Sequence, residues 1–585
     1  MTNILKLAAL VPILALAACA QQPLKPREAQ PEQPAAEAPA PKPRVVARPA
    51  VKPQVLPKQE MSRAILFKLL LAEIALQRGQ GNVAVQAYLE LTRETRDPRI
   101  AQRATEVAWN ARFLGVALET AGIWLAADPD SQQARQVLVA LLVSQSRLAD
   151  ALPHLEKSLA ADKENVGNSF LQLNMLLARH PDKAAVLQLT QNLAHPYPTL
   201  PEAHFSIAQA ASNAGQGELA LNEIRTALEL RPEWEQAALF QGQLLQRSSN
   251  TEALNYLQGY LKSYPRAMDV RLNYARLLVT EKRYPAARGE FQALLKEFPD
   301  NPDVTMAVGL LSLQLKDYDT AETQMLRALE SKYKDPDAVR YYLGQLNEER
   351  KRFDEALRWY GGISGGEQYV PARARYAAIL AKQGKLAEAR KYLQESPRDA
   401  QQSLQFTQAE AQLLRDANDF RGAYEVLSRA LEKSPNSPEL LYDQAMAAEK
   451  VDRIDVLESN LRKVIQIKPD YAHAYNALGY TLADRNMRLQ EAYTLIEQAL
   501  RLAPDDPFIM DSMGWVLYRM GQNDAAIAFL KRAFELRPDA EIAAHLGEVL
   551  WAMGQRDEAR KIWASALKDN PANEVLLATV KKFSN

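Results

Sequence analysis

The sequence predicts an all-α fold in which helical hairpins repeat along the chain and stack into a solenoid. Three observations carry that prediction. Prolines recur behind apolar helical stretches at Pro232, Pro265 and Pro299, and again at Pro435, Pro469, Pro504, Pro538 and Pro571. Their gaps are 33 and 34 residues, then 34, 35, 34 and 33. A period of this length marks a stacked two-helix unit, each too small to bury its own apolar face. Small residues hold fixed offsets before those prolines: Gly547, Ala559 and Ala566 precede Pro571 as Gly514, Ala526 and Ala533 precede Pro538. Composition agrees, because 47% hydrophobic residues with only 7% aromatics suits Ala- and Leu-rich helices better than β-sandwiches.

The first element is residues 1–18, which read as a secretory signal. Lys6 lies in a short polar stretch, Leu7 to Leu16 is apolar, and small residues precede Cys19. An apolar run of about 10 residues is half of what a helical membrane span requires. Leu16-Ala17-Ala18-Cys19 resembles the lipobox of bacterial lipoproteins. The resemblance implies that Cys19, the single Cys of the chain, is acylated after the signal is removed. Several acyl chains make a stable anchor where one is marginal. Ala20 stands where an inner-membrane retention signal usually carries Asp, so the same resemblance implies an outer-membrane, lipid-anchored protein facing the periplasm.

Residues 19–60 follow as a lipidated Cys and a Pro-rich tether. Ten prolines fall between residues 21 and 60, and such a segment forms no core. Extended as polyproline II it reaches at most about 120 Å. Its basic residues outnumber its acids, which suits a solvated spacer and, secondarily, contact with peptidoglycan or anionic head groups.

From residue 61 the repeats begin, degenerate over 61–199 and regular over 200–360 and 370–585, where a C-terminal cap is expected. Ala208, Ala220, Ile224 and Ala227 precede Pro232; Ala275, Ala287 and Phe291 precede Pro299; Gly309, Ala321, Met325 and Ala328 lead to Tyr333, where the closing Pro is missing. The unit ending at Pro504 has Leu478, Gly479, Leu482, Ala492, Ile496 and Ala499, with one extra residue between its helices. Ala117 with Pro129, and Ala151 with Leu155, continue the frame upstream, and His195-Pro196-Tyr197-Pro198 interrupts it. These residues resemble the tetratricopeptide repeat, which implies a superhelical solenoid of about 15 hairpins. Gly or Ala at the eighth and twentieth positions lets two helices approach closely. The closing Pro disfavours helix in the residue before it and so sets the turn.

Residues 361–369 form a separate loop or hinge, since four glycines fall within Gly361 to Gly366. A phosphate-binding loop is excluded there: no Lys-Ser or Lys-Thr follows, and Trp359-Tyr360 closes a helix rather than a strand.

Nothing in the chain selects an enzyme. The six His residues form no HExxH pair, and GxSxG is absent. Carboxylates such as Glu348 and Glu349 sit on helix surfaces with nothing to single out a working pair. His473 and His545 fall in first helices, where a groove-facing or surface role is expected. We therefore expect no catalytic residues, no metal, no cofactor and no small-molecule substrate. Lys+Arg and Asp+Glu are equal at 71 each, which excludes a chain-wide basic field for nucleic acid.

Binding is what stacked hairpins offer, through a concave face lined by first helices. The repeat frame places Tyr442, Met446, Tyr480, Phe508, Asp511, Trp515, Tyr518, Arg519 and Trp551 on or near that face. Trp, Tyr and Arg dominate binding hot spots, although Trp515 and Trp551 also suit gaps between neighbouring helices. The architecture, with the stretch Met513 to Arg519, resembles outer-membrane lipoproteins that act as adaptors of carboxyl-terminal processing proteases. That resemblance implies periplasmic partners, a protease and its cell-wall hydrolase substrates. The alternative is an assembly lipoprotein, a pilotin or an export-machine scaffold.

Overall fold

The computed structural model describes residues 56–583 apart from Lys58 and Asp162. The signal, Cys19 and nearly all of the tether lie outside the described residues. Every regular element among them is an α-helix, 31 in all. They fall into two compact units that divide between Tyr333 and Lys334.

The first unit holds eight consecutive helix pairs, from Arg63–Gln77 with Gly81–Thr95 to Pro302–Gln314 with Tyr318–Glu330. The second holds seven, from Pro336–Glu349 with Phe353–Gly361 to Ala540–Ala552 with Arg556–Asp569, and ends on Glu574–Phe583. Fourteen of these fifteen pairs pack as hairpins. The fourth does not: Val166–Leu177 lies on Pro201–Asn213, while Lys183–Ala194 lies on Leu148–Ala161 and Pro201–Asn213.

Local chemistry explains where the helices start and stop. Asp506 accepts hydrogen bonds from the amides of Phe508 and Ile509, and Pro507 takes the first helical position, where its missing N–H costs nothing. Asn301 with Pro302 and Ser437 with Pro438 repeat the device. The closing prolines stand two residues past the last helical residue, as with Leu230 and Pro232, Ile467 and Pro469, or Leu536 and Pro538. At Tyr333, where the proline is missing, Lys332 turns left-handed at φ 57° and the Tyr333 amide bonds back to Ala328 O.

The close approach expected within each hairpin is present. A Cβ at Gly479 would meet Ile496 Cγ1 at 2.6 Å and Ala492 O at 2.9 Å; at Gly514 it would meet Ala526 O at 3.0 Å. Because an oxygen of the neighbouring backbone blocks each position, a side chain there moves a helix rather than a rotamer. The Gly-rich segment lies inside the second unit, after the nine-residue helix Phe353–Gly361. Ile363 is buried there, Ser364 N donates to Asp337 Oδ2, and Gly366 adopts φ 70°.

Candidate partner-binding surface

First helices of consecutive hairpins lie side by side, so residues one repeat apart become neighbours. Polar side chains use this spacing as a ladder. Gln408 donates to Asp443 at 2.8 Å, Thr481 to Glu449 at 3.1 Å, and Lys582 to Glu548 at 2.9 Å. Trp515 Nε1 donates to Asp484 Oδ1 at 3.2 Å. His545 Nδ1 lies 3.0 and 2.9 Å from the two oxygens of Asp511. Glu348 belongs to the same scheme as a structural carboxylate, held by Arg375, Lys382 and the Tyr360 hydroxyl.

The sequence-selected residues divide into four groups on this scaffold. Tyr480, Asp511, Trp515, Tyr518 and Arg519 come together on the first helices Ala472–Asp484 and Pro507–Arg519. Trp515 is only 5% exposed. It stacks on His545 at 4.2 Å and 23°, with Tyr518 at 5.4 Å and the Arg519 guanidinium 5.8 Å from its ring. Asp511 and Trp515, expected on the partner-facing surface, are thus covered by the next hairpin. His545 is 7% exposed and replaces the surface role expected of it with an internal one. Tyr480, Tyr518 and Arg519 stay half-buried and form the accessible rim.

Tyr442 and Met446 lie one hairpin earlier, half-buried, with the Tyr442 ring 5.3 Å from Tyr471. Phe508 is exposed beneath the Arg537 guanidinium. Trp551 lies on the first helix of the last hairpin: it stacks on Trp563 and meets Phe583 of the closing helix at a 44° tilt, each 5.8 Å away, and carries Arg556 and Arg560 against its ring.

Burial acts on rim and covered residues alike. Burial pushes the Tyr480 phenol well above its ordinary value, and the charges of Asp484 and Asp511 add to the shift. Burial pulls the His545 imidazole down, but the charge and hydrogen bond of Asp511, joined by Glu541 and Asp484, outweigh it. The net direction is up. A buried imidazolium paired with a carboxylate is a strong charge-assisted contact. Among the described residues no cluster of three His, Cys, Asp or Glu is placed to hold a metal.

Sequence reasoning missed His545 as the partner of Asp511, though the one-repeat separation was a usable signal. It also missed Tyr256, Tyr260 and Tyr264, which line an open pocket of about 300 Å³ with Arg225 and Gln241. Their i, i+4, i+8 spacing puts all three on one helical face. Burial pushes Tyr260 up to about 12, and the hydroxyls of Tyr256 and Tyr260 are buried without hydrogen-bond partners.

Comparison with known proteins places this architecture. Tetratricopeptide-repeat family models match residues 244–311, 517–581 and 306–361. A TPR repeat-containing protein of Pseudomonas aeruginosa is 34% identical over 505 residues, covering 85% of each chain. Protein arginine N-methyltransferase 9 of Homo sapiens is 37% identical over 83 residues, which cover 13% of this chain and 10% of that one. The crystal structure of a thermophilic TPR protein of Thermus thermophilus is 26% identical. It covers 29% of this chain and 94% of that one, at a TM-score of 0.28. With repeat pattern, hairpin geometry and a relative matched along most of both chains, the protein belongs to the tetratricopeptide-repeat family.

Proposed function

We propose that this chain is a non-enzymatic protein-binding scaffold, anchored to the outer membrane through lipid at Cys19, that holds a periplasmic protease and presents cell-wall hydrolases to it. The observation that carries the binding role is the rim of half-buried Tyr480, Tyr518 and Arg519 beside the locked Trp515–His545 stack. Rigid aromatic and Arg side chains bury large area at small entropic cost, and a packed support beneath them lowers that cost further. The anchor rests on the lipobox resemblance and the Pro-rich tether. The adaptor role rests on the resemblance of the whole architecture, with Met513 to Arg519, to adaptors of carboxyl-terminal processing proteases.

The test combines the full lipidated protein with such a protease and a cell-wall cross-link hydrolase. The protein alone cleaves nothing; added to the protease, it speeds cleavage. Tyr518→Ala with Arg519→Ala weakens capture while melting stays near the parent. Proteolysis unchanged across such proteases, or in-cell crosslinking that captures secretin or export-complex subunits instead, overturns the adaptor reading in favour of machine assembly.

A further inference from the structure

The two ends of the array are finished differently. At the C-terminus, Glu574–Phe583 covers the last hairpin, burying Leu576 and setting Phe583 against Trp551 and Trp563. At the N-terminus, the outward face of Arg63–Gln77 is apolar: Leu66, Phe67, Leu70, Leu71 and Ile74 are 45%, 66%, 52%, 38% and 46% exposed. A terminal repeat in water needs a polar outer face, and this one has none along most of its length. Its inward face is conventional, with Ile65, Ala72 and Ala75 buried. The helix's acid is held at its flank, where Glu73, with its side chain 40% exposed, pairs with Tyr88 and Arg103; Lys68 is engaged by Glu90 and Glu94. The outward face carries no carboxylate, and exposed Arg63 and Arg78 flank its two ends.

We propose that this face docks on an anionic lipid bilayer. An apolar helical stripe bounded by cations matches the interface between acyl chains and anionic head groups, where the side chains leave water and the arginines meet phosphate. At about 1.5 Å per residue the helix is some 22 Å long, so it lies along the interface rather than across it. Charge disfavours a second copy as the occupant: antiparallel self-pairing brings Arg63 of one chain to the Arg78 end of the other with no acid between them. The undescribed N-terminal segment ends at residue 55, just before this helix, so an anchor at Cys19 keeps the face within tether reach of the membrane. In that respect the inference rests on the anchored reading proposed above. Docking orients the first hairpins against the membrane, whereas a tether alone leaves them free.

The test uses the full chain reconstituted in vesicles of phosphatidylethanolamine and phosphatidylglycerol, with a nitroxide at Phe67→Cys and, as a solvent reference, at Met175→Cys, where the native side chain is 72% exposed. Expected is a ratio of oxygen to aqueous-nickel accessibility several-fold higher at position 67 than at 175. Leu70→Glu with Ile74→Glu returns the 67 probe to the reference value while melting is unchanged. A 67 probe as aqueous as the reference overturns the proposal. So does shielding that appears without vesicles and scales with protein concentration, which assigns the face to a second copy. The parent chain separates the two readings, because its single Cys takes no thiol label when acylated. If Cys19 does take label, the anchor reading fails, and the position 67 probe, read in the Cys19→Ala background, still decides the docking by the same two outcomes.

Discussion

The same helix crossing is built in two ways along this chain. In the thirteenth to fifteenth hairpins the crossing is made by Gly479, Gly514 and Gly547, the first two against the backbone of Ala492 and Ala526 and the third against the Trp563 ring. In the second and third pairs the equivalent offsets hold Thr105 and Val139, with buried Ala117 and Ala151 at the matching offsets of the second helices. Thr105 is accommodated by its hydroxyl, which lies 2.7 Å from Ala101 O and 3.0 Å from the Thr120 hydroxyl. The difference teaches that the crossing tolerates bulk when the partner residues give way or a hydroxyl is satisfied. The glycine hairpins instead spend that space on closeness, and they carry the tightly stacked Trp515 and His545.

The largest expected effect falls on the stack. Trp515→Ala removes a side chain packed between three first helices and leaves Asp484 without its indole donor. It should cost the second unit about 3–5 kcal/mol, read by denaturant unfolding, as large aromatic truncations in cores do. A loss below about 1 kcal/mol would show that Trp515 is a surface residue after all and return it to the rim.

The crossing itself comes next. Gly514→Val drives a branched side chain against Ala526 O and should destabilise by about 3 kcal/mol. Val139→Ala, at the matching place in the degenerate region, should cost only about 1–2 kcal/mol, as a buried cavity of two methyl groups does. Equal costs would mean that the two crossings are not different solutions.

These contrasts also mark what was legible in the sequence. The hairpin frame was readable from residue 200 onward because closing prolines and Gly or Ala are local signals, and Pro232, Pro469 and Pro538 stand where the frame requires. Upstream, the frame was thin for a physical reason: Thr105 and Val139 break the small-residue rule, and the fourth pair abandons the hairpin. The candidate surface was legible as a set of positions on first helices. Which of them remain accessible was not, because Asp511 and Trp515 are covered by a residue of the following repeat, His545, and depth depends on how neighbouring hairpins stack.

A smaller effect should appear with pH. His545 has its pKa raised above the ordinary 6.5 by Asp511, Glu541 and Asp484 against the opposing effect of burial, with Tyr480 and Trp515 against its ring. The folded state therefore holds its proton more tightly than the unfolded chain. The stabilisation is complete below about pH 6.5 and is lost as pH rises through the folded value. The melting temperature of the second unit should fall as pH rises from about 6.5 through the folded value, and His545→Gln should flatten that slope. The first unit carries the opposite sign, because burial lowers the pKa of its His154 and its stability rises with pH, so a parallel decline in both would break the assignment to His545.

The smallest effect concerns the turns inside the hairpins. Gly215, Gly384, Gly521 and Gly554 take the left-handed conformation that such a turn requires, at φ between 76° and 82°. At the matching turns of other hairpins the chain uses Lys282 at φ 56° and Lys316 at φ 60°, where a side chain makes left-handed backbone unfavourable by about 1 kcal/mol. Gly is more costly to order from the unfolded chain, which offsets part of the gain. Lys316→Gly should therefore stabilise the first unit by less than about 1 kcal/mol, and Gly521→Lys should destabilise the second by a similar amount. Both follow from denaturant midpoints with an unchanged slope. If Lys316→Gly instead destabilises, the lysine stem contributes packing that outweighs its backbone cost, and the two classes of turn differ by more than their φ.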